Sequence, residues 1–236
     1  MVQSRYRYLI PSAVTFLSLA SGISAILAAA TGNLTLGGIL ILASYILDLF
    51  DGELARRLDA TSAFGLQIDS LTDMVSLGVA PAVLAFFHLR HSGDVSMAFV
   101  WPFTVLYTLA GAFRLARFNL LPMKKGQTDS VGLTISTGGA TLTLGILSDL
   151  ANSSEVMPDL AFIPLMAFLS ILMVSRIAHP SLTWLFSRRW VSLLYMAYFG
   201  ITIFLLRLPF VNIWFLFNSG YLGASLVRAG YRMLGD

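Results

Sequence analysis

Residues 48–73 read DLFDGELARRLDATSAFGLQIDSLTD, and the interpretation of the whole chain turns on them. The stretch holds two carboxylate pairs, Asp48 with Asp51 three residues on, and Asp69 with Asp73 four residues on. On a helix both spacings put a pair on one face. The run from Thr35 to Leu47 carries no charge and spans about 20 Å at the helical rise, which places Asp48 roughly 10 Å inside a bilayer boundary. A helix starting near residue 63 brings Asp69 to the same depth, roughly 10 Å from the same side. Two helices then present four carboxylates to one point. A carboxylate at mid-membrane costs about 2.5–3.5 kcal/mol on insertion scales, and four that repel one another demand a cation. All-oxygen ligation selects a hard divalent ion such as Mg²⁺ or Mn²⁺, and two ions about 4 Å apart fit if one carboxylate bridges them.

The rest of the chain supplies the membrane that this reading requires. The 236 residues are 57% hydrophobic and 11% charged, with a mean hydropathy of +0.79, which is too apolar for an ordinary soluble domain. Cysteine is absent, which excludes disulfides, thiolate metal sites and a thiol nucleophile. Apolar stretches fall at 9–30, 35–57, 63–89, 96–119, 132–151, 158–177, 188–206 and 209–232, each near the length that crosses about 30 Å of hydrocarbon. The first runs past the length of a secretory signal core and is expected to be a retained helix. The expected fold is all-α: one integral-membrane domain over residues 1–236, a polytopic bundle of about eight transmembrane helices. Of the 15 lysines and arginines, Arg90 and Arg207 alone fall on one side of that arrangement. The crowded side is cytoplasmic by the positive-inside rule. Both termini and the acidic stretch are therefore expected to face the cytoplasm, in the cell membrane. The net charge of +3 belongs to that bias and does not call for nucleic acid.

The pattern Asp48-x2-Asp51-Gly52-x2-Ala55-Arg56-x8-Gly65-x3-Asp69-x3-Asp73 resembles the complete signature of the CDP-alcohol phosphatidyltransferases. That resemblance implies displacement of CMP from a CDP-linked lipid by an alcohol. It implies Asp48, Asp51, Asp69 and Asp73 as metal ligands, Asp73 also as general base, and Gly52, Ala55, Arg56 and Gly65 around the CDP moiety. The segments Asp69–Pro81 and Arg114-Leu-Ala-Arg117-Phe-Asn119 are similar to the phosphatidylserine synthase branch, as is Ile10–Ser18, which has serine at 12 and 18 where the branch usually has asparagine. The branch resemblance adds Thr15 and Ser18 as CDP contacts, CDP-diacylglycerol as donor, L-serine as the favoured acceptor, and a homodimer. Glycerol 3-phosphate, an inositol compound or an ether-linked CDP donor are the alternatives within the same chemistry.

Phosphoryl transfer needs charge neutralisation and in-line placement more than a covalent partner, and an acidic metal site with an adjacent carboxylate base provides both. Arg114 and Arg117, three apart on the fourth stretch, share a face and are expected to hold the serine carboxylate or a lipid phosphate; the competing reading is two anchors reaching to the surface. His88, His91 and His179 lack ligand spacing with the acids and receive no role. A cation transporter would spread its acids over several helices and depths, whereas these occupy one helix pair.

Overall fold

The computed structural model describes residues 2–59, 62–120, 129–151, 157–180 and 210–235. Helix α1 (Val2–Ala30) and helix α2 (Leu34–Arg57) form a hairpin. Its turn uses Gly32 at φ 87°, and the side chain of Asn33 accepts from the backbone N–H of Leu36 at 3.1 Å, satisfying a donor at the start of α2. Helix α3 (Ala63–Asp73) begins at Ser62, whose Oγ accepts the Gly65 N–H at 2.9 Å. It passes without interruption through a π-helical turn (Met74–Val79) into α4 (Ala80–Ser92), which stops at Gly93 in the left-handed conformation, φ 76°. Helix α5 (Met97–Leu120) follows, then strand β1 (Asp129–Val131), α6 (Ile135–Ala151), a 3₁₀ turn (Asp159–Ala161), α7 (Phe162–Val174), strand β2 (Ala178–Pro180) and α8 (Phe210–Gly235).

The π-helical turn has a local cause. Pro81 has no N–H to give to a preceding carbonyl, and its ring crowds the residue four back. The backbone widens ahead of it, so that Ala80 donates to Val75, five residues earlier. The carbonyl of Leu77, in the same turn, lies close against Gly139 of α6, where no side chain intervenes. Gly78 and Gly111 likewise admit the end of Ile135 between α4 and α5. Helix α6 is therefore the central post of the bundle, buried from Thr137 to Ser148.

Among the described residues, Pro11–Ala30, Leu34–Gly52, Ala63–Ser92 and Met97–Leu120 are helical, long and apolar enough to cross a membrane, and Asp159–Val174 is a shorter apolar helix. Large apolar side chains such as Leu27, Phe99, Trp101, Leu109 and Ile171 point outward, as lipid contact requires. The protein thus has the all-α architecture of an integral-membrane bundle. Seven of the expected apolar stretches contain a helix; the one at 188–206 lies outside the described residues. Two stretches are trimmed. The segment from 132 turns before α6 begins at Ile135, and α7 ends at Val174 because the chain there extends toward β2. Strands β1 and β2 form an antiparallel ribbon with Ser130 opposite His179, a small departure from a purely helical fold.

Because a methyl at Gly139 would drive into the Leu77 carbonyl, Gly139→Ala should destabilise the bundle by about 1–3 kcal/mol. Gly223, with open space around it, serves as control. In detergent, Gly139→Ala should unfold several degrees lower than the wild type, and Gly223→Ala within a degree or so of it.

Candidate active site

Helix α1 packs against α2, α3 and the π-helical turn, and this seating gathers the acids. Carboxylate oxygens of Asp48, Asp51 and Asp69 lie within 4.8 Å of one another. Asp73, one helical turn beyond Asp69, is within hydrogen-bonding reach of Asp48. Asp51 and Asp73 are buried, and Asp73 Oδ1 has no hydrogen-bond partner among the described residues. Oxygens bound to one hard cation at about 2.0–2.6 Å lie up to about 4–5 Å apart, so the cluster has the donor type, spacing and an orphaned buried oxygen that a divalent ion would satisfy.

Thr15 on α1 aims its hydroxyl into this cluster. Oγ1 lies 2.6 Å from Asp51 Oδ2 and 3.1 Å from the Pro11 carbonyl, so a neutral donor fixes one carboxylate without adding charge. Of the positions expected around CDP, Gly52 and Ala55 are half-buried on α2 beyond Asp51, and Gly65 sits in the first turn of α3 with its N–H held by Ser62. The backbone of Arg56 belongs to the last turn of α2; its side chain lies outside the described part.

Ser18 is held between helices. It is buried, and its hydroxyl meets Ser44 Oγ at 2.7 Å and the Ser44 carbonyl at 3.0 Å, while Ser76 donates to the Ser18 carbonyl at 3.3 Å. Ser18 joins α1 to α2 and to the π-helical turn.

The two arginines of α5 divide their labour. Arg114 is 6% exposed, donates to Ser130 Oγ at 3.4 Å, stands over the Phe118 ring at 4.8 Å and interacts electrostatically with Asp73. Its Nε has no partner among the described residues. A cation buried this way is no surface anchor. Arg117 is committed elsewhere: it donates to the carbonyls of Val174 at 2.8 Å, Val131 and Ser175 at 2.9 Å and Met173 at 3.1 Å. The last turn of α7 leaves carbonyls without helical partners, and a cation at that end also suits the helix dipole. In this way Arg117 clips α5 to the end of α7 and to β1. Gly132 makes the clip possible, since it takes φ 78° and any Cβ there would meet Arg117 and the carbonyls of Met173 and Ser175.

Two further polar groups lie near the acids. Ser130 reaches Arg114 from β1, and Asn119 donates to Ser70 Oγ at 3.1 Å, joining α5 to α3. Asn119 was visible as a neighbour of the arginine pair; Ser130 had no distinguishing signal.

Comparison with known proteins identifies the family. The family model described as CDP-alcohol phosphatidyltransferase matches residues 8–178. A CDP-diacylglycerol–serine O-phosphatidyltransferase of Helicobacter pylori is 33% identical over 180 residues, covering 74% of this chain and 73% of that one. A protein of the same name from Methanocaldococcus jannaschii is 35% identical over 167 residues, 71% of each chain. An archaetidylserine synthase of Methanothermobacter thermautotrophicus is 32% identical over 174 residues, 72% of this chain and 69% of the other.

Thr15→Val keeps the shape of the side chain and removes the donor to Asp51. Losing a group that orients a metal ligand typically costs 10–100-fold in metal affinity. Calorimetric titration with Mn²⁺ should show a loss in that range at unchanged helicity, and unchanged affinity would remove Thr15 from the site.

Proposed function

Because this chain belongs to the CDP-alcohol phosphatidyltransferase family, we propose that it transfers the phosphatidyl group of CDP-diacylglycerol to the hydroxyl of L-serine, giving phosphatidylserine and CMP in phospholipid biosynthesis. The observation that carries the reading is the convergence of Asp48, Asp51 and Asp69 within 4.8 Å beside a buried Asp73 with an unpartnered oxygen. Asp48, Asp51 and Asp69, with Asp73 completing the set, hold a divalent cation, Mg²⁺ or Mn²⁺, and the cluster suits two. When bound, the metal neutralises the diphosphate and stabilises charge on the departing CMP oxygen.

The chain's own groups do the rest. Gly52, Ala55 and Gly65 leave room beside the acids for the CDP moiety, and Arg56 at the end of α2 meets its charge. Asp73 accepts the proton of the serine hydroxyl as its oxygen bonds to the β-phosphorus of the donor, the phosphorus that carries the diacylglycerol; the bond from that phosphorus to the bridging oxygen breaks, and CMP leaves with the electron pair. Arg114, buried beside Asp73 with Nε unpartnered, pairs with the serine carboxylate. The amino acid is thereby oriented with its hydroxyl toward the base, which converts a bimolecular encounter into a positioned one.

The topology completes the proposal. The chain forms one domain of eight spans, with both termini and the acidic site toward the cytoplasm, where soluble serine and CMP are handled, and two copies associate as a homodimer. The similarity to an archaetidylserine synthase supports testing an ether-linked donor beside the ester. Release of CMP by purified protein with Mn²⁺, CDP-diacylglycerol or its ether analogue, and serine, glycerol 3-phosphate or inositol decides both substrates. Turnover with serine supports the assignment, and selective use of another alcohol replaces it.

Asp73→Asn preserves size but cannot accept a proton, and a general base contributes about 10²–10⁴-fold. The variant should bind CDP-diacylglycerol and Mn²⁺ with near wild-type affinity by calorimetry and turn over at least ~100-fold slower. Combined loss of metal and nucleotide binding would make Asp73 a ligand first. Arg114→Ala should raise the KM for serine at least ~10-fold with little change in that for CDP-diacylglycerol, as loss of a charge-assisted contact to one substrate predicts. Equal losses for both substrates would count against the carboxylate contact.

A further inference from the structure

At the opposite end of the bundle from the acidic quartet, His88 of α4 faces Asp149 in the last turn of α6 and Asp159 in the 3₁₀ turn before α7. We propose that His88, Asp149 and Asp159 form a second, independent metal site for a divalent transition ion of the Zn²⁺ type, tying together α4, α6 and the entry to α7.

The geometry favours an ion over a simple ion pair. His88 Nε2 lies 3.3 Å from Asp149 Oδ2 and 3.4 Å from Asp159 Oδ1, and one ligand atom from each of the three residues falls within 4.8 Å of the others. His88 is 6% exposed, and the ring of Phe162 meets it edge-on with centroids 5.1 Å apart. Despite that company, Nε2 has no hydrogen-bond partner among the described residues. A single Nε2–H cannot serve both carboxylates. A cation receiving the Nε2 lone pair serves all three residues at once. Ligands about 2.1 Å from a tetrahedral ion stand about 3.4 Å apart along its edges, which matches both nitrogen–oxygen distances.

Charge and donor type narrow the ion. Two carboxylates and a neutral imidazole carry two negative charges, the number that a divalent ion matches. One nitrogen with two oxygens is a borderline set that suits Zn²⁺ or Co²⁺, whereas Mg²⁺ and Ca²⁺ prefer oxygen alone. The site is separate from the quartet, because Asp69 and His88 lie on one continuous helical run, about 28 Å apart at 1.5 Å per residue. Its three ligands come from different elements, so its consequence is structural: binding cross-links the far end of the bundle.

The test uses full-length protein in detergent with the first site silenced by Asp51→Asn and Asp69→Asn, stripped with chelator and then given Co²⁺ or Zn²⁺. Elemental analysis after desalting should find one Zn²⁺ per chain, Co²⁺ should develop visible absorption of a four-coordinate site, and Zn²⁺ should raise the unfolding temperature. Adding His88→Ala, or separately Asp159→Asn, should abolish all three signals while circular dichroism stays helical. Absence of stoichiometric Zn²⁺ or Co²⁺ uptake by the folded, quartet-silenced protein overturns the proposal without recourse to any change at the site itself. Uptake undiminished by Asp159→Asn and His88→Ala overturns it equally.

Discussion

Repulsion among carboxylates held in an apolar bundle governs the local structure around them. In water four acids would spread apart; here two helices fix them within a few ångströms, and low dielectric strengthens every unbalanced charge. The surroundings answer in kind. Thr15 gives Asp51 a neutral donor at 2.6 Å, and Arg114 stands beside Asp73 as a buried positive charge. These offset part of the repulsion and leave a demand that a divalent cation meets. A site assembled this way is at ease only when loaded, which suits a reaction whose substrate is a diphosphate.

Holding the acids in place depends on close approach of backbones, and in this bundle that falls to glycine and proline. Pro81 opens the π-helical turn directly after Asp73, and Gly139 lets the central helix come up against its carbonyls. π-bulges are frequent at functional sites because they re-aim side chains within an otherwise regular helix, and here the widened turn abuts the last acid of the quartet. The same economy appears at the other side of Arg114. Gly132 at positive φ admits the Arg117 guanidinium among four carbonyls, and the ribbon that results delivers Ser130 to Arg114. Arg117 thus acts on the site through the strand that it anchors.

The legible parts of this protein were those that helical periodicity encodes. Spacings of three and four placed each acid pair on a face, and the uncharged run before Asp48 set its depth; both needed nothing beyond the helical rise and the thickness of a bilayer. Illegible were contacts made across elements. Arg114 and Arg117 look equivalent in sequence, and their different surroundings follow from where α7 ends, at Val174. Ser18 looks like a polar residue awaiting a ligand until Ser44 is found opposite it on α2. His88 is separated along the chain from Asp149 and Asp159 by α5 and most of α6, so that ligand-spacing patterns pass over the three, and their meeting is a product of tertiary packing. The π-helical turn leaves no trace in hydropathy, although the proline that causes it was in plain view.

The distribution of apolar surface around the quartet links fold to substrate. Phe50 and Phe64 are each 65% exposed and Leu71 62% exposed, on the same elements that carry the four acids. Outward apolar side chains are stable against lipid and costly against water, so this surface suits contact with acyl chains. A CDP-linked lipid bound at such a surface would not need to leave the bilayer: its diphosphate would meet the carboxylates laterally while the acyl chains stayed in hydrocarbon. The small acceptor, which has no such tie, is the partner that must be captured by charge, and a buried arginine with an unpartnered nitrogen next to the base is suited to that capture. A lipid that keeps its acyl chains in hydrocarbon and an amino acid held by a cation are both served by acids set beside an apolar surface.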